Sequence, residues 1–470
     1  MNFKTDIVIG LECHVELKTK TKLFCGCSRT GSDKPNTRTC EVCLGHPGSK
    51  PVLNKTAVDF ALKLALAVGC DISSQLVFSR KSYFYPDMSK NYQISQYEVP
   101  LGLKGAIKLA DGTAINLTRI HMEEDPAALV HPNGMIKSSY VLVDYNRSGN
   151  PLVEIVTEPE MTSPAQARDF LKQLISILKY LDIFDADESS IKADANVSIK
   201  ESGYSRVEIK NINGFKEIER ALNYEIQRQK KMVKEGKKIL LETRAWDSDV
   251  GITRSMRLKE TEADYGYIVD PDLVVSEIDD EWIDGVRRDL PELAHEKTAR
   301  FIKEYKIDNV DAAVLSAQIE IAELFEKVVV KISPKLAAKW LRRELARVMN
   351  YNNLDFADIE IDETHLIDLL SMVEKKEITE NVAQKILEKL IEKPFDVKEY
   401  VKKEGLAAVN DEKALEDFCN QVITDNDKVI NEYKEGNVKS LNFLMGQVMR
   451  LSKGTANPGQ VRELLIKLIK

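Results

Sequence analysis

The chain has 470 residues, too many for one hydrophobic core, so two or three domains are expected. Hydrophobic residues make up 43% and charged residues 30%, the balance of a soluble globular protein, and the net charge of −8 excludes a uniformly basic nucleic-acid coat while leaving local basic surfaces open. No apolar run is long enough to span a bilayer and no secretory signal precedes the first strand pattern, so the seven cysteines are expected in a reducing cytoplasm, where clustered thiols bind metal more often than they pair.

The first element is "DIVIGLECHVEL". Ile7, Ile9, Leu11, Cys13, Val15 and Leu17 alternate onto one face of a strand, and Glu12, His14 and Glu16 onto the other, each about 7 Å from the next. That polar face can bind a divalent cation or handle protons, or it is the wet side of an antiparallel sheet. Next come Cys25, Cys27, Cys40 and Cys43, a C-x-C and a C-x-x-C separated by twelve residues. Two such knuckles close a sulfur tetrahedron around zinc and leave no position for water, so a structural metal is expected rather than a catalytic one.

The stretch "SRKSYFYPDMSKNYQISQYE" interleaves Arg80, Lys81, Tyr83, Tyr85, Lys90, Tyr92 and Gln96. Aromatics among cations suit stacking on a base or ribose with contacts to phosphate; a loop packed by its own tyrosines is the plainer alternative. "RIHMEEDPA" brings His121, Glu123, Glu124 and Asp125 to the end of an alternating strand. In "SIKADANVSIK", Lys192, Asp194, Asn196 and Ser198 share a face, and after a turn "RVEIKNINGF" places Arg206, Glu208 and Lys210 on another, so the two runs read as a hairpin whose polar side suits metal and phosphate together. No GxxxxGK[ST], GxGxxG or GxSxG is present, which removes a P-loop, a dinucleotide fingerprint and a serine nucleophile elbow.

Beyond about residue 290 nearly every pattern is helical. Lys335, Lys339, Arg342, Arg343 and Arg347 follow one side of a helix whose other side carries Leu336, Trp340, Leu345 and Val348, which reads equally as a solvated face or as a contact for phosphates. Near the end, Asn457 and Pro458 mark a helix start, and the loop from Lys453 to Asn457 before it is a further candidate for backbone contact. The expected fold is α+β: an antiparallel-sheet body over residues 1–293, a helical domain over 294–393, and a small helical tail domain over 394–470.

Taken together, "IGLECHVELKTKTKLFCGC", "CLGHPGSKPVLN", "RKSYFYPDMSKNYQISQY", "RIHMEEDPA", "LVDYNRSGNPLVEIVTEP", "ADANVSI", "VEIKNINGF", "ETRAWD" and "MGQVMRLSKGTANPGQVRELL" resemble, nearly end to end, the B-subunit family of the tRNA-dependent amidotransferase complex (GatCAB). The resemblance implies a glutamine-dependent carbon–nitrogen ligase that amidates misacylated Asp-tRNA(Asn), Glu-tRNA(Gln) or both. In such a complex the B subunit holds the tRNA and phosphorylates the side-chain carboxylate with ATP and magnesium. Ammonia arrives from a glutaminase A subunit, and a small C subunit wraps the A–B interface. A non-discriminating aminoacyl-tRNA synthetase is a further implied partner; a membrane is not.

On that reading the magnesium ligands are drawn from Glu12, His14, Glu124 (or its neighbour Glu123), Asp194 and Glu208. His14 is the less usual ligand and also suits proton transfer or the ammonia path. Lys81, Arg206 and Lys210 would meet phosphate charge, Arg80, Tyr83, Tyr85 and Asn196 the nucleotide, and Cys25, Cys27, Cys40 and Cys43 zinc. "DYGYIVDPDL" departs from the family pattern by lacking an arginine, which leaves an anion-binding role for Tyr265–Asp270 unsupported. A non-catalytic, zinc-containing RNA-binding scaffold is the alternative. It accounts for the cysteines and the basic helix but leaves the Glu12/His14, Asp194 and Glu208 faces unexplained.

Overall fold

The computed structural model describes residues 5–132, 138–185, 191–258, 265–352, 354, 356, 359–409 and 412–469. It divides into two compact units, Met1–Leu293 and Ala294–Lys470. The first is built on a sheet of ten strands among the described residues. The strands that matter for the site are β1 (Ile7–Glu16), β2 (Ser79–Ser82), β3 (Tyr92–Ser95), β4 (Ala114–Glu124), β5 (Pro151–Thr157), β6 (Ile191–Ile199), β7 (Val207–Asn213), β8 (Glu242–Asp247) and β9 (Ile252–Leu258). Their order in the sheet is β9-β8-β7-β6-β1-β5-β4, with short strands beyond β4; β2 and β3 pair with each other in a separate three-stranded sheet. Within the main sheet the pairs are antiparallel, as expected, except β7 and β8, which run parallel. The helix Phe215–Lys234 is the crossover that parallel pairing requires.

β1 lies at the centre of the sheet, with its apolar side fully covered. Ile9, Leu11, Cys13 and Val15 are fully buried. Ala193, Ala195, Val197 and Ile199 of β6 and Val207, Ile209 and Ile212 of β7 continue that face. The helices Pro164–Tyr180 and Phe215–Lys234 cover it, bringing Phe170, Leu174, Leu178, Ile218 and Leu222 into the same core. Each such side chain contributes about 1.5–3 kcal/mol on burial. Ser163 caps the first of these helices by accepting from the Gln166 amide, with Pro164 behind it.

The hairpin β6–β7 forms with one irregularity that alternation does not foretell. Ala193 pairs with Ile212 but Ala195 pairs with Ile209, so β7 holds one extra residue. Asn211 absorbs it at φ 65°. The bulge keeps Glu208 and Lys210 on the polar face, opposite Asn196 and Asp194, yet returns Ile212 to the core.

The second unit is helical throughout its described residues, with two apolar cores. One gathers residues from Phe301 to Val401, the other from Leu415 to Ile469. The helix Val397–Glu404 lies past the 393/394 division read from Pro394, yet Val397 and Val401 pack into the first core. The basic helix runs through a π-helical turn at Trp340–Leu345 and buries Trp340, Leu345 and Val348. Three of its five cations are held by acids: Lys339 by Glu380 at 2.7 Å, Arg342 by Asp311, and Arg347 by Glu388 at 2.9 Å. The loop before the last helix is likewise drawn inward, since Gly454 O accepts from Thr379 Oγ1 and Thr455 O from the Val409 amide; Lys453 and Asn457 stay exposed.

Candidate active site and candidate metal centre

The polar face of the sheet carries a stripe of ionisable side chains from β7 to β4. Glu12 of β1 sits across from Asp194 of β6, and with Glu208 of β7 they bring carboxylate oxygens within 4.8 Å of one another. Lys210 Nζ lies 2.5 Å from Asp194 and 3.5 Å from Glu208. Asn196 Nδ2 donates to Glu12 at 2.9 Å. Burial works against the Lys210 charge, but Asp194 and Glu208 outweigh it and raise the ammonium above its ordinary range. Hard oxygen donors converging in this way fit magnesium.

One strand further, His14 of β1 pairs with Glu154 of β5, and Glu154 with His121 of β4. His14 Nδ1 lies 2.9 Å from Glu123 Oε1, and His121 Nε2 lies 3.1 Å from Glu154 Oε2. Burial opposes a charged imidazole, yet Glu154 and the hydrogen-bonded Glu123 push His14 up to about 10. Burial also opposes ionisation of Glu154, but His121 and His14 hold it well below the usual carboxylate range. In this arrangement the two carboxylates, Glu154 and Glu123, favour the protonated form of His14 against its burial. Next to this group, burial pushes Asp125 up to about 6, although Lys192 and Arg147 lie 3.9 and 3.5 Å away.

The tyrosine-rich loop forms an aromatic wall. Tyr97 and Tyr267 stack at 4.0 Å, Tyr83 lies 5.9 Å from Tyr85 and 6.4 Å from Tyr265, and Lys81 Nζ sits 4.7 Å over the Tyr265 ring. Tyr85 is half exposed. Arg80 is committed elsewhere: its guanidinium donates to Asp270 at 2.8 Å and Asp272 at 2.9 Å and covers Tyr92.

The four cysteines bring their sulfurs within 4.8 Å of one another. The second knuckle is a tight turn in which the Cys40 amide points at Cys43 Sγ at 3.1 Å and the Leu44 amide closes on Cys40 O. A hydrogen bond from Cys25 lowers the Cys43 thiol to about 5 and raises that of Cys25; burial and Cys40 push Cys27 up to about 11. Four sulfurs converging in this way suit zinc in a closed tetrahedron. The knuckle presses on the loop before β3. Ser89 Oγ donates to Cys43 O at 2.8 Å, and a Cβ at Gly45 (φ +67°) would fall 2.4 Å from Lys90 Cγ, so only glycine fits there.

The family model described as the GatB/GatE catalytic domain matches residues 7–284, and that described as the GatB domain matches residues 323–469. A relative from Thermodesulfovibrio yellowstonii, named as the B subunit of an aspartyl/glutamyl-tRNA(Asn/Gln) amidotransferase, is 41% identical with 99% of each chain covered. Relatives of the same name from Carboxydothermus hydrogenoformans and Moorella thermoacetica are each 42% identical over 98% of both chains. The chain belongs to the amidotransferase B-subunit family.

In this B-subunit family member the structure brings Glu12, Asp194, Asn196, Glu208 and Lys210 together as the sequence suggests. It places Glu123, not Glu124, beside His14. The end of β4 puts the two acids on opposite faces, and Glu124 is turned to Lys90, at 2.5 and 2.6 Å, and to the Ile94 amide. Arg206 directly precedes β7 and is exposed. Arg80 spends its donors on Asp270 and Asp272, so it braces the aromatic wall from behind. Two members of the site are missed by sequence reasoning: Glu154, the lone charge in the apolar strand "PLVEIVT", and Thr243, whose hydroxyl donates to Glu208 Oε2 at 2.7 Å. An isolated acid flanked on both sides by Leu, Val and Ile is the signal that could have found the first; nothing local marks the second.

Proposed function

We propose that this chain is the tRNA-binding, carboxylate-activating subunit of a glutamine-dependent amidotransferase. It accepts misacylated Asp-tRNA(Asn), Glu-tRNA(Gln) or both and works in the cytoplasm with a glutaminase subunit and a small third subunit. In the reaction the side-chain carboxylate oxygen attacks the γ-phosphorus of ATP and ADP leaves. Ammonia then attacks the acyl carbon, and phosphate departs from the amide.

The observation that carries this reading is the convergence of Glu12, Asp194 and Glu208 on three neighbouring strands, next to the His14–Glu123–Glu154–His121 group, on the polar face of one sheet. Phosphoryl transfer needs positioning and charge neutralisation rather than a nucleophilic side chain. Magnesium bound at the three carboxylates would neutralise phosphate oxygens in the transition state. Lys210 keeps the carboxylates together and offers an ammonium at their edge. Lys81, resting on Tyr265, stands where the aromatic wall meets the stripe, next to Glu154. Tyr83 and Tyr85 offer ring faces to a nucleotide base. His14, bonded to Glu123, and His121, bonded to Glu154, are placed to relay a proton to and from these carboxylates where ammonia becomes amide. The four cysteines would hold zinc as a clamp on the loop that carries Lys90.

In the assembled complex, with misacylated tRNA and labelled ATP, Glu12→Ala and Glu208→Ala should each lower tRNA-dependent ATP cleavage by about 10²–10³-fold while glutamine hydrolysis by the partner subunit continues. ATP cleavage at the unaltered rate would remove the phosphorylation site from this face and return the chain to the RNA-binding scaffold.

A further inference from the structure

Lys22 stands three residues before Cys25 and, among the described residues, is the only lysine whose side chain is wholly buried, at 0% exposure. Among the described residues no carboxylate comes within ion-pair distance of its ammonium. Nζ donates to Cys43 Sγ at 3.7 Å and to the Tyr145 carbonyl at 3.2 Å. The backbone is shaped around the stem. Gly149, at φ +86°, lies in van der Waals contact range of Lys22 Cδ and Cys43 Cβ, and its carbonyl accepts from the Leu23 amide at 2.8 Å.

An ammonium taken out of water is strongly unfavourable unless an anion compensates it. A carbonyl is neutral, so the sulfur cluster is the source of negative charge in reach. Four thiolates around a zinc dication carry an excess of that sign, and Cys43, the sulfur that Lys22 touches, is itself buried.

We propose that Lys22 is the counter-ion of the zinc–thiolate centre, and that lysine and metal site stabilise each other. This rests on the reading of the four cysteines as a zinc site. With metal bound, the ammonium offsets the thiolate charge, tightens the hold on zinc and ties it through Tyr145 O to the segment before β5. With metal gone, the same ammonium is a buried charge without the metal-bound sulfur cluster that offsets it. Lys22 therefore has opposite effects on the two forms. A lysine that only filled space would affect both forms alike.

The test uses the full-length chain as wild type, Lys22→Met and Lys22→Gln. Zinc content is measured first, then the rate of zinc transfer to a chromophoric chelator, then thermal unfolding with zinc and after its removal. Both variants should bind one zinc and release it about 10–100-fold faster than wild type, as changes next to metal ligands do. The zinc-free variants should unfold at a higher temperature than zinc-free wild type. Lys22→Gln keeps a donor for the Tyr145 carbonyl, so wild-type zinc release in that variant would make the hydrogen bond, not the charge, the active feature and overturn the proposal. Shifts of equal sign with and without zinc would overturn it as well. Wild type that binds no zinc would fail the zinc reading itself, whereas zinc-loaded wild type with unchanged release from Lys22→Met fails the counter-ion alone.

Discussion

Glu208 meets Thr243 across the parallel pair β7/β8, and the 2.7 Å bond from the threonine hydroxyl fixes how the carboxylate turns. Thr243 is itself buried, so its hydroxyl has little competition from water. Thr243→Val keeps the shape and deletes the donor; Thr243→Ser keeps the donor. The valine variant should need about 10-fold more magnesium to support tRNA-dependent ATP cleavage, with the serine variant close to wild type. Equal magnesium curves for the two would show that the hydroxyl does not position Glu208. Residues of this kind are the least legible in a sequence. Glu12, Asp194 and Glu208 are readable because each falls on the polar side of an alternating strand, and Cys25, Cys27, Cys40 and Cys43 because sulfur pairs are rare. Glu123 and Glu124 are adjacent, so only the phase of β4 at its last residues decides between them, and that phase is set by pairing with β5.

At the scale of elements, alternation predicts β1, β6 and β7 and the faces they bury, but it assumes an unbroken period of two. Asn211 breaks that period. Its left-handed backbone, at φ 65°, costs an ordinary residue about 1–2 kcal/mol, and a branched one more than asparagine. Because Asn211 is exposed, packing does not complicate the comparison. Asn211→Gly should leave the urea midpoint nearly unchanged, and Asn211→Val should lower stability by about 1–2 kcal/mol. Two variants of equal stability would mean that the bulge relaxes without cost. The same limit applies to the basic helix. Its cations are visible in the sequence, but Asp311, Glu380 and Glu388, which hold three of them, come from segments far along the chain, and only packing brings them near.

For the whole molecule, the second unit's two cores decide where it can be cut. Val397 and Val401 belong to the core that begins at Phe301, and the Ala408 amide still bonds to Glu377 O at 2.7 Å. A chain ending at Ala408 therefore keeps that core and loses only the tail core of Leu415–Ile469. In the assembled complex such a chain should bind tRNA at least ~10-fold more weakly, as loss of one of two linked contacts does, while glutamine hydrolysis is unaltered. Unchanged tRNA affinity would take the tail out of RNA recognition. The order of strands in the first unit has a consequence for synthesis. β1 is made first, yet its partners are β5 and β6, and Ile7 pairs with Ile199. At 5–20 residues per second, roughly 10–40 s pass on the ribosome before the second partner exists. Throughout that interval the apolar segment of Ile9, Leu11, Cys13 and Val15 lacks at least one of its two strand partners, and an open edge of that kind is one that other nascent chains can capture. The strand at the heart of the proposed chemistry is thus also the segment most in need of protection while the protein is being born.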